Sequence, residues 1–391
     1  MTTDTTRLLN APWDTITVSS LVEAAARRAP RRVFLRDCPR RLAWNGVEPR
    51  ELTFETFQRS ALFLAAQLRT LGVQPGDAVL LMLPNSVEAP LALVGTLMAG
   101  AVPAIAPADE KVDTLRAMAE RSEATAIITM NRIGDIKLGE KARQVAARLI
   151  SIRCVAGFGL DLPDGIVSLE GWSEEDVMPL APQGTRQDSP ALVTFGRKEG
   201  AICAFRRTEG QIVADMLLAT ALAAPTEESG IISLMQPGSA ASVAAGFLLA
   251  LQANAPLALI GPYETPALAE ALERQPGALL LAPDHFIAQA RKDSPLSGLA
   301  ISHVSGPMDT IPKPGPVSGP VLIDFEEHGL AGLRSWPHDG KLNMDKHVPH
   351  ALDGLIPADG PYLSFAGEAV AGFGAAEILR RPASSSAGKA A

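Results

Sequence analysis

The stretch "ALVTFGRKEGAICAFRRTEGQIVA", Ala191 to Ala214, has the ends of a phosphate-binding loop: an apolar strand runs into a glycine turn, and a helix follows. Such a loop holds a polyphosphate with bare backbone N–H groups, small hydroxyl residues and a lysine. Its centre here is Gly196-Arg197-Lys198-Glu199-Gly200, two cations and a carboxylate between glycines. Gly196 and Gly200 would let backbone approach a phosphate, and Arg197 and Lys198 could pair with its charge. Glu199 repels it. The loop reads as one that has lost its nucleotide contacts. His338, His347 and His350, in "HDGKLNMDKHVPH", match no helix-borne ligand set, and no metal site is expected there. Cys203 has no histidine partner in view and reads as a packing residue. No G-x-S-x-G elbow or Walker loop occurs, and no G-x-G-x-x-G follows a strand.

The elements that must carry such a site are legible upstream. Phe57, Ala61, Leu64, Ala65 and Leu68 recur at helical spacing, and Gly72 follows as a stop. Pro75-Gly76-Asp77 makes a turn before a strand over Ala78–Leu83. The pattern predicts a helix over Val87–Met98, a strand through Ala101–Pro107, a helix over Val112–Glu120 and a strand at "ATAIITM". This alternation is that of a doubly wound α/β sheet. It then recurs: "LMLPNS" (Leu81–Ser86) is answered by "LMQPGS" (Leu234–Ser239), and "MAGAVPAIAP" (Met98–Pro107) by "QANAPLALIG" (Gln252–Gly261). The spacings differ by one residue, so two similar α/β halves are expected, with a ligand crevice between them. The fold class is therefore α/β, two similar βαβαβ subdomains over residues 1–185 and 186–310. A small β-rich part over 311–382 and a disordered low-complexity tail over 383–391 complete the chain.

Composition narrows the functions. Hydrophobic residues make up 47% of 391 and charged residues 20%, with only two tyrosines and four tryptophans, so alanine, leucine and valine fill the core. The net charge of −8, with scattered basic residues, argues against a nucleic-acid surface, and "RRAPRR" (Arg27–Arg32) reads as a solvated helix end. Three separated cysteines suit a reduced, cytoplasmic setting, and the N-terminus reads as no secretory signal. Ser229 to Tyr263 lacks any charge, but Gln252, Asn254 and Pro256 interrupt it. A buried helix and a short strand are expected there, not a membrane span.

At this point the sequence resembles the adenylate-forming superfamily of acyl-CoA synthetases, nonribosomal peptide adenylation domains and luciferases. The residues that carry the resemblance are "LTFETFQRSALFLAAQLRTLGVQPGDAVLLMLPNSVEAPLALVGTLMAGAVPAIAP", then "ALVTF", "RTEGQIVA", "APDHFIAQA" and "SFAGEAVAGF". The resemblance implies an acyl-CoA synthetase-like large N-terminal domain. It also implies a reaction in which a carboxylate attacks the α-phosphate of ATP, giving an acyl-adenylate and pyrophosphate. The family's loop, T-S-G-T-T-G-x-P-K-G, aligns with Gly196–Ala204, where Gly200 is kept, Ile202 stands for the proline and Cys203 for the lysine. Its Y-G-x-T-E aligns with Phe325-Glu326-Glu327-His328-Gly329: Phe325 stands for the adenine-stacking aromatic, and Glu326 or Glu327 could reach a metal from a shifted register.

The family's ribose-binding aspartate, hinge and mobile C-terminal domain have no counterpart after "SFAGEAVAGF". Loss of one electrostatic contact of this kind costs an enzyme on the order of 10²-fold. The expectation is a degenerate, non-catalytic homologue that needs no cofactor and acts as an acyl-binding or partner subunit. It would work with a catalytic homologue, a separate C-terminal domain or an acyl carrier protein. The alternatives are a divergent or split ligase that activates a carboxylic (fatty) acid with ATP and Mg2+, and an acyl-CoA or acyl-carrier binding module. In the ligase alternative Arg197, Lys198 and Glu326 would be catalytic, and Gly196, Gly200, Phe325 and Glu327 would hold the nucleotide.

Overall fold

A computed structural model describes residues 16–171, 186, 188–198, 201–223, 227–228, 230–283, 298–304, 322–326, 331–334 and 363–365. The chain opens with α1 (Val18–Arg28), β1 (Val33–Arg36), α2 (Arg41–Asn45), β2 (Glu51–Thr53) and α3 (Phe54–Thr70). The first α/β run is β3 (Ala78–Met82), α4 (Glu88–Met98), β4 (Val102–Ile105), α5 (Val112–Ser122) and β5 (Ala124–Met130). Next come α6 (Leu138–Ala146), β6 (Cys154–Phe158) and β7 (Val167–Ser168). The second half begins with β8 (Pro190–Lys198), β9 (Ala201–Thr208) and α7 (Glu209–Ala223). It continues as β10 (Ile231–Ser233), a π-helix (Ser242–Leu248), α8 (Leu249–Ala253), β11 (Leu257–Leu259), α9 (Thr265–Arg274) and β12 (Leu279–Pro283). The remaining strands are β13 (Gly298–Val304), β14 (Leu322–Glu326), β15 (Ala331–Arg334) and β16 (Leu363–Phe365).

Local chemistry explains these boundaries. The Thr53 hydroxyl accepts the Thr56 N–H at 3.1 Å and starts α3, whose apolar stripe from Phe57 to Leu68 is buried. Thr208 and Gln211 form the equivalent reciprocal cap of α7, with bonds of 2.9 and 3.3 Å. Every residue of β3 is buried, as a strand covered on both faces requires. The charge-free Ser229–Tyr263 stretch forms the π-helix, α8 and β11, the buried helix and short strand that its interruptions imply. Among the described residues no helix is long and apolar enough to cross a membrane.

Two sheets result. The first runs β7-β6-β5-β3-β4-β8-β9 and the second β16-β15-β14-β13-β12-β10-β11-β1-β2. The order β5-β3-β4 in one repeats as β12-β10-β11 in the other, so the two copies seen in the sequence are two copies in space. In the second copy the interval between the matched segments is one residue longer, and the π-helix lies inside it. An i→i+5 turn takes up one extra residue without shifting the strand beyond it. The sheets exchange strands across the 185/186 boundary. β1 and β2, from the first half, complete the edge of the second sheet, with Leu35 opposite Leu257. β8 and β9, from the second half, complete the first, with Val193 opposite Ala104. The described strands of the C-terminal part, β14 to β16, extend the second sheet.

Packing reflects the exchange. One hydrophobic core runs from Ile16 to Ala282 through both halves, and a smaller one lies under α5 and α6. Phe34 of β1 stacks on Phe54 with centroids 4.4 Å apart and meets Phe57 edge-on at 5.1 Å. Phe247 of the π-helix lies 5.7 Å from both Phe34 and Phe57, so the aromatic cluster spans the two halves.

A buried ion cluster within the first half ties the β1–β2 connection to the start of α4. Arg41, fully buried, pairs with Asp37 and donates to Glu88 at 2.7 Å. Arg50 bridges Glu88 and Glu170, each at 2.9 Å. Asp37 also accepts the Val87 and Arg50 N–H groups at 3.0 Å, and the Ser86 hydroxyl donates to Glu88 at 2.7 Å. Burial alone would raise the Glu88 carboxyl, but Arg41, Arg50 and Ser86 hold it below its usual range. Burial and the nearby Glu88 push Asp37 up to about 6 against the pull of Arg41. Removing one partner of such a cluster leaves buried charge uncompensated, so Arg41→Met should cost about 3–5 kcal/mol. Arg27→Ala, which breaks the exposed pair with Glu23, should cost less than about 0.5 kcal/mol. Urea midpoints of the two variants test this, and equal losses would show that the cluster carries no special weight.

Candidate functional site

The stretch expected to be a glycine turn is a hairpin. β8 and β9 pair antiparallel from Pro190–Thr208 to Arg197–Ile202 and Lys198–Ala201, which leaves only Glu199 and Gly200 to connect them. Gly196 faces Cys203 across the ladder. Eight residues of strand, Ala201–Thr208, therefore separate the glycine from the helix expected directly after it. Gly200 lies outside the described residues. A ladder of this kind commits backbone N–H groups to the partner strand, where a phosphate cradle would leave them free.

The base of the hairpin is fixed by buried polar groups. The Arg207 guanidinium donates to the Thr194 hydroxyl at 3.0 Å and lies 3.9 Å from the Asp215 carboxylate on α7. Burial pushes Asp215 up to about 6, against the pull of Arg207. Glu209, fully buried at the start of α7, accepts the Val18 N–H of α1 at 2.9 Å. Strand, strand and two helices are thus tied at one point. Phe325 and Glu326 are carried on the other sheet, at the end of β14, where they face His303 and Val304 of β13. Glu327 and the three histidines lie outside the described residues.

A cavity opens between the two halves, with about 40 Å3 accessible to the centres of water-sized molecules. From the first half it is lined by Leu81, Leu83 and Asn85, by Ala89, Pro90 and Leu93 of α4, and by Ile105. From the second it takes Ser233, Pro237, Leu257 and Leu259, and four residues of the π-helix: Ser242, Val243, Gly246 and Phe247. Gly246 packs closely there: a Cβ would sit 3.2 Å from a Leu281 methyl. No lining residue is charged.

The matched segments meet beside the cavity in a reciprocal contact. Asn85 of "LMLPNS" packs on Gly261, whose added Cβ would lie 2.8 Å from the Asn85 Cβ. Gly238, the counterpart of Asn85 in the second copy, packs on Pro107, the counterpart of Gly261, at 3.3 Å by the same measure. A crevice between the halves was expected. That Asn85, Ser233 and the π-helix build its wall was not read from the sequence, although a polar Asn in the apolar run "LMLPNSVEAP" was a visible signal. The Arg41 cluster was also missed, since it reaches Glu88 and, through Arg50, Glu170 far along the chain, and so was the contact of Arg207 with Thr194 and Asp215 on neighbouring elements.

Comparison with known proteins agrees with this architecture. Residues 22–196 match the AMP-binding enzyme family, and the match stops at Gly196, before the hairpin's end. A 139-residue stretch is 32% identical to the salicyl-AMP ligase / salicyl-S-ArCP synthetase of Mycobacterium tuberculosis, covering 36% of this chain and 23% of that protein. A 95-residue stretch is 35% identical to a salicylyl-CoA synthase / salicylate adenylyltransferase of Streptomyces sp, covering 24% and 17%. The chain therefore matches less than a quarter of the length of these curated relatives. The apo structure of Mycobacterium smegmatis MbtA superposes with a TM-score of 0.70 at 21% identity, over 85% of this chain and 62% of that one. Acetoacetyl-CoA synthetase from Streptomyces lividans gives 0.63 at 20% identity, over 80% and 51%. Residues 22–196 match an AMP-binding enzyme domain, and the fold is like that of the N-terminal domain of acyl-CoA synthetase-like, adenylate-forming enzymes.

The Asp215–Arg207 contact has a pH signature. A carboxyl whose folded pKa lies above its unfolded value holds a proton that the unfolded chain has released, so stability falls as pH rises between the two values. For Asp215 and Asp37 that window runs from about pH 4 to about pH 6. The expected result is a melting temperature that declines from about pH 4.5 to about pH 6.5, with a shallower decline in Asp215→Asn. An unchanged slope in the variant would remove Asp215 from the account.

Proposed function

We propose that this chain is an adenylate-forming homologue that does not complete acyl-adenylation on its own and acts as an acyl-binding or partner subunit in a reduced, cytoplasmic setting. The observation that carries this reading is the β8–β9 ladder, paired residue by residue to Lys198–Ala201. Polyphosphate binding in this fold calls for a loop of free N–H groups, hydroxyls and a lysine, whereas these positions hold Gly196, Arg197 and Lys198 in a strand, then Ile202 and Cys203. The residues present do not fit ATP with Mg2+, and no adenylation step follows from them. The relatives' names point to salicylate, an aromatic carboxylic acid, and to a carrier protein as the first acyl group and partner to try.

The same relationships accommodate a second reading, a divergent or split ligase. Two cations, Arg197 and Lys198, end β8, and Glu326 ends β14. There they could take altered roles, with a catalytic homologue, a separate C-terminal domain or an acyl carrier protein supplying the rest. Gly196, Gly200, Phe325 and Glu327 would then contact the nucleotide, with ATP and Mg2+ required.

Pyrophosphate–ATP isotope exchange with Mg2+ and a panel of salicylate, benzoate and fatty acids separates the two. The expected result is no exchange by the purified protein and no shift of its melting temperature with ATP. Exchange that is lost in Arg197→Ala or Lys198→Ala would overturn the proposal in favour of the ligase.

A further inference from the structure

We draw no further inference here: the strongest candidate, the outer edge of the first sheet along β9 (Ala201–Thr208), carries nothing, because nothing in the structure shows what covers it.

Discussion

Each sheet of this protein is completed by strands from the other half of the chain, and the rest of the structure depends on that exchange. β4 and β11 would be edges with unpaired N–H and C=O groups if β8–β9 and β1–β2 were not laid beside them. Neither half buries its own core without the other, as the Phe34–Phe54–Phe57–Phe247 cluster shows in side chains. The contact between halves is therefore an obligate core and not a mobile domain interface. A cavity held in such a contact has walls fixed by the fold itself.

The exchange also explains where charge is buried. β1 and β2 pair with each other beside β11, and the segment Asp37–Arg50 that joins them, with α2 in it, reaches residues of the first sheet's half. The residues of that connection meet Glu88 at the start of α4 and Glu170 before the 185/186 boundary. Arg41 and Arg50 answer three carboxylates, and Asp37 also takes two backbone N–H groups. Hydrophobic side chains there could give comparable stability. The charged set does something they could not: its directional bonds fix where the connecting segment lies against α4.

Much of the fold was legible because it is local. The strand Ala124–Met130 forms as its apolar run implies, and the helix expected over Val112–Glu120 forms over Val112–Ser122. The repeat was visible because "LMLPNS" and "LMQPGS" recur in register, and even the one-residue mismatch was real, absorbed by the π-helix. What could not be read was which sheet each strand joins. Period-two alternation identifies a strand and says nothing of its neighbours. The hairpin was misread for a different reason. The glycines of "GRKEG" suggested a turn leading into a helix, but "AICAF" pairs as strand with "TFGRK", a local pairing over Thr194 to Phe205 that neither segment's composition announces.

The hairpin stands at the rim of the first sheet. In the sheet, β8 is buried between β4 and β9, and β9 is the outer edge. The ladder runs on to Lys198 and Ala201, with a register shift between Pro190 and Leu192. The base is held independently by Arg207, Thr194 and Asp215, and by Glu209 on α1. The cavity between the halves draws its walls from β3, β4, α4, β10, β11 and the π-helix, none of which belongs to the hairpin. The hairpin's tip and the contact between the halves are therefore separate parts of one fold, and the strand exchange holds the halves together whatever residues stand at that tip.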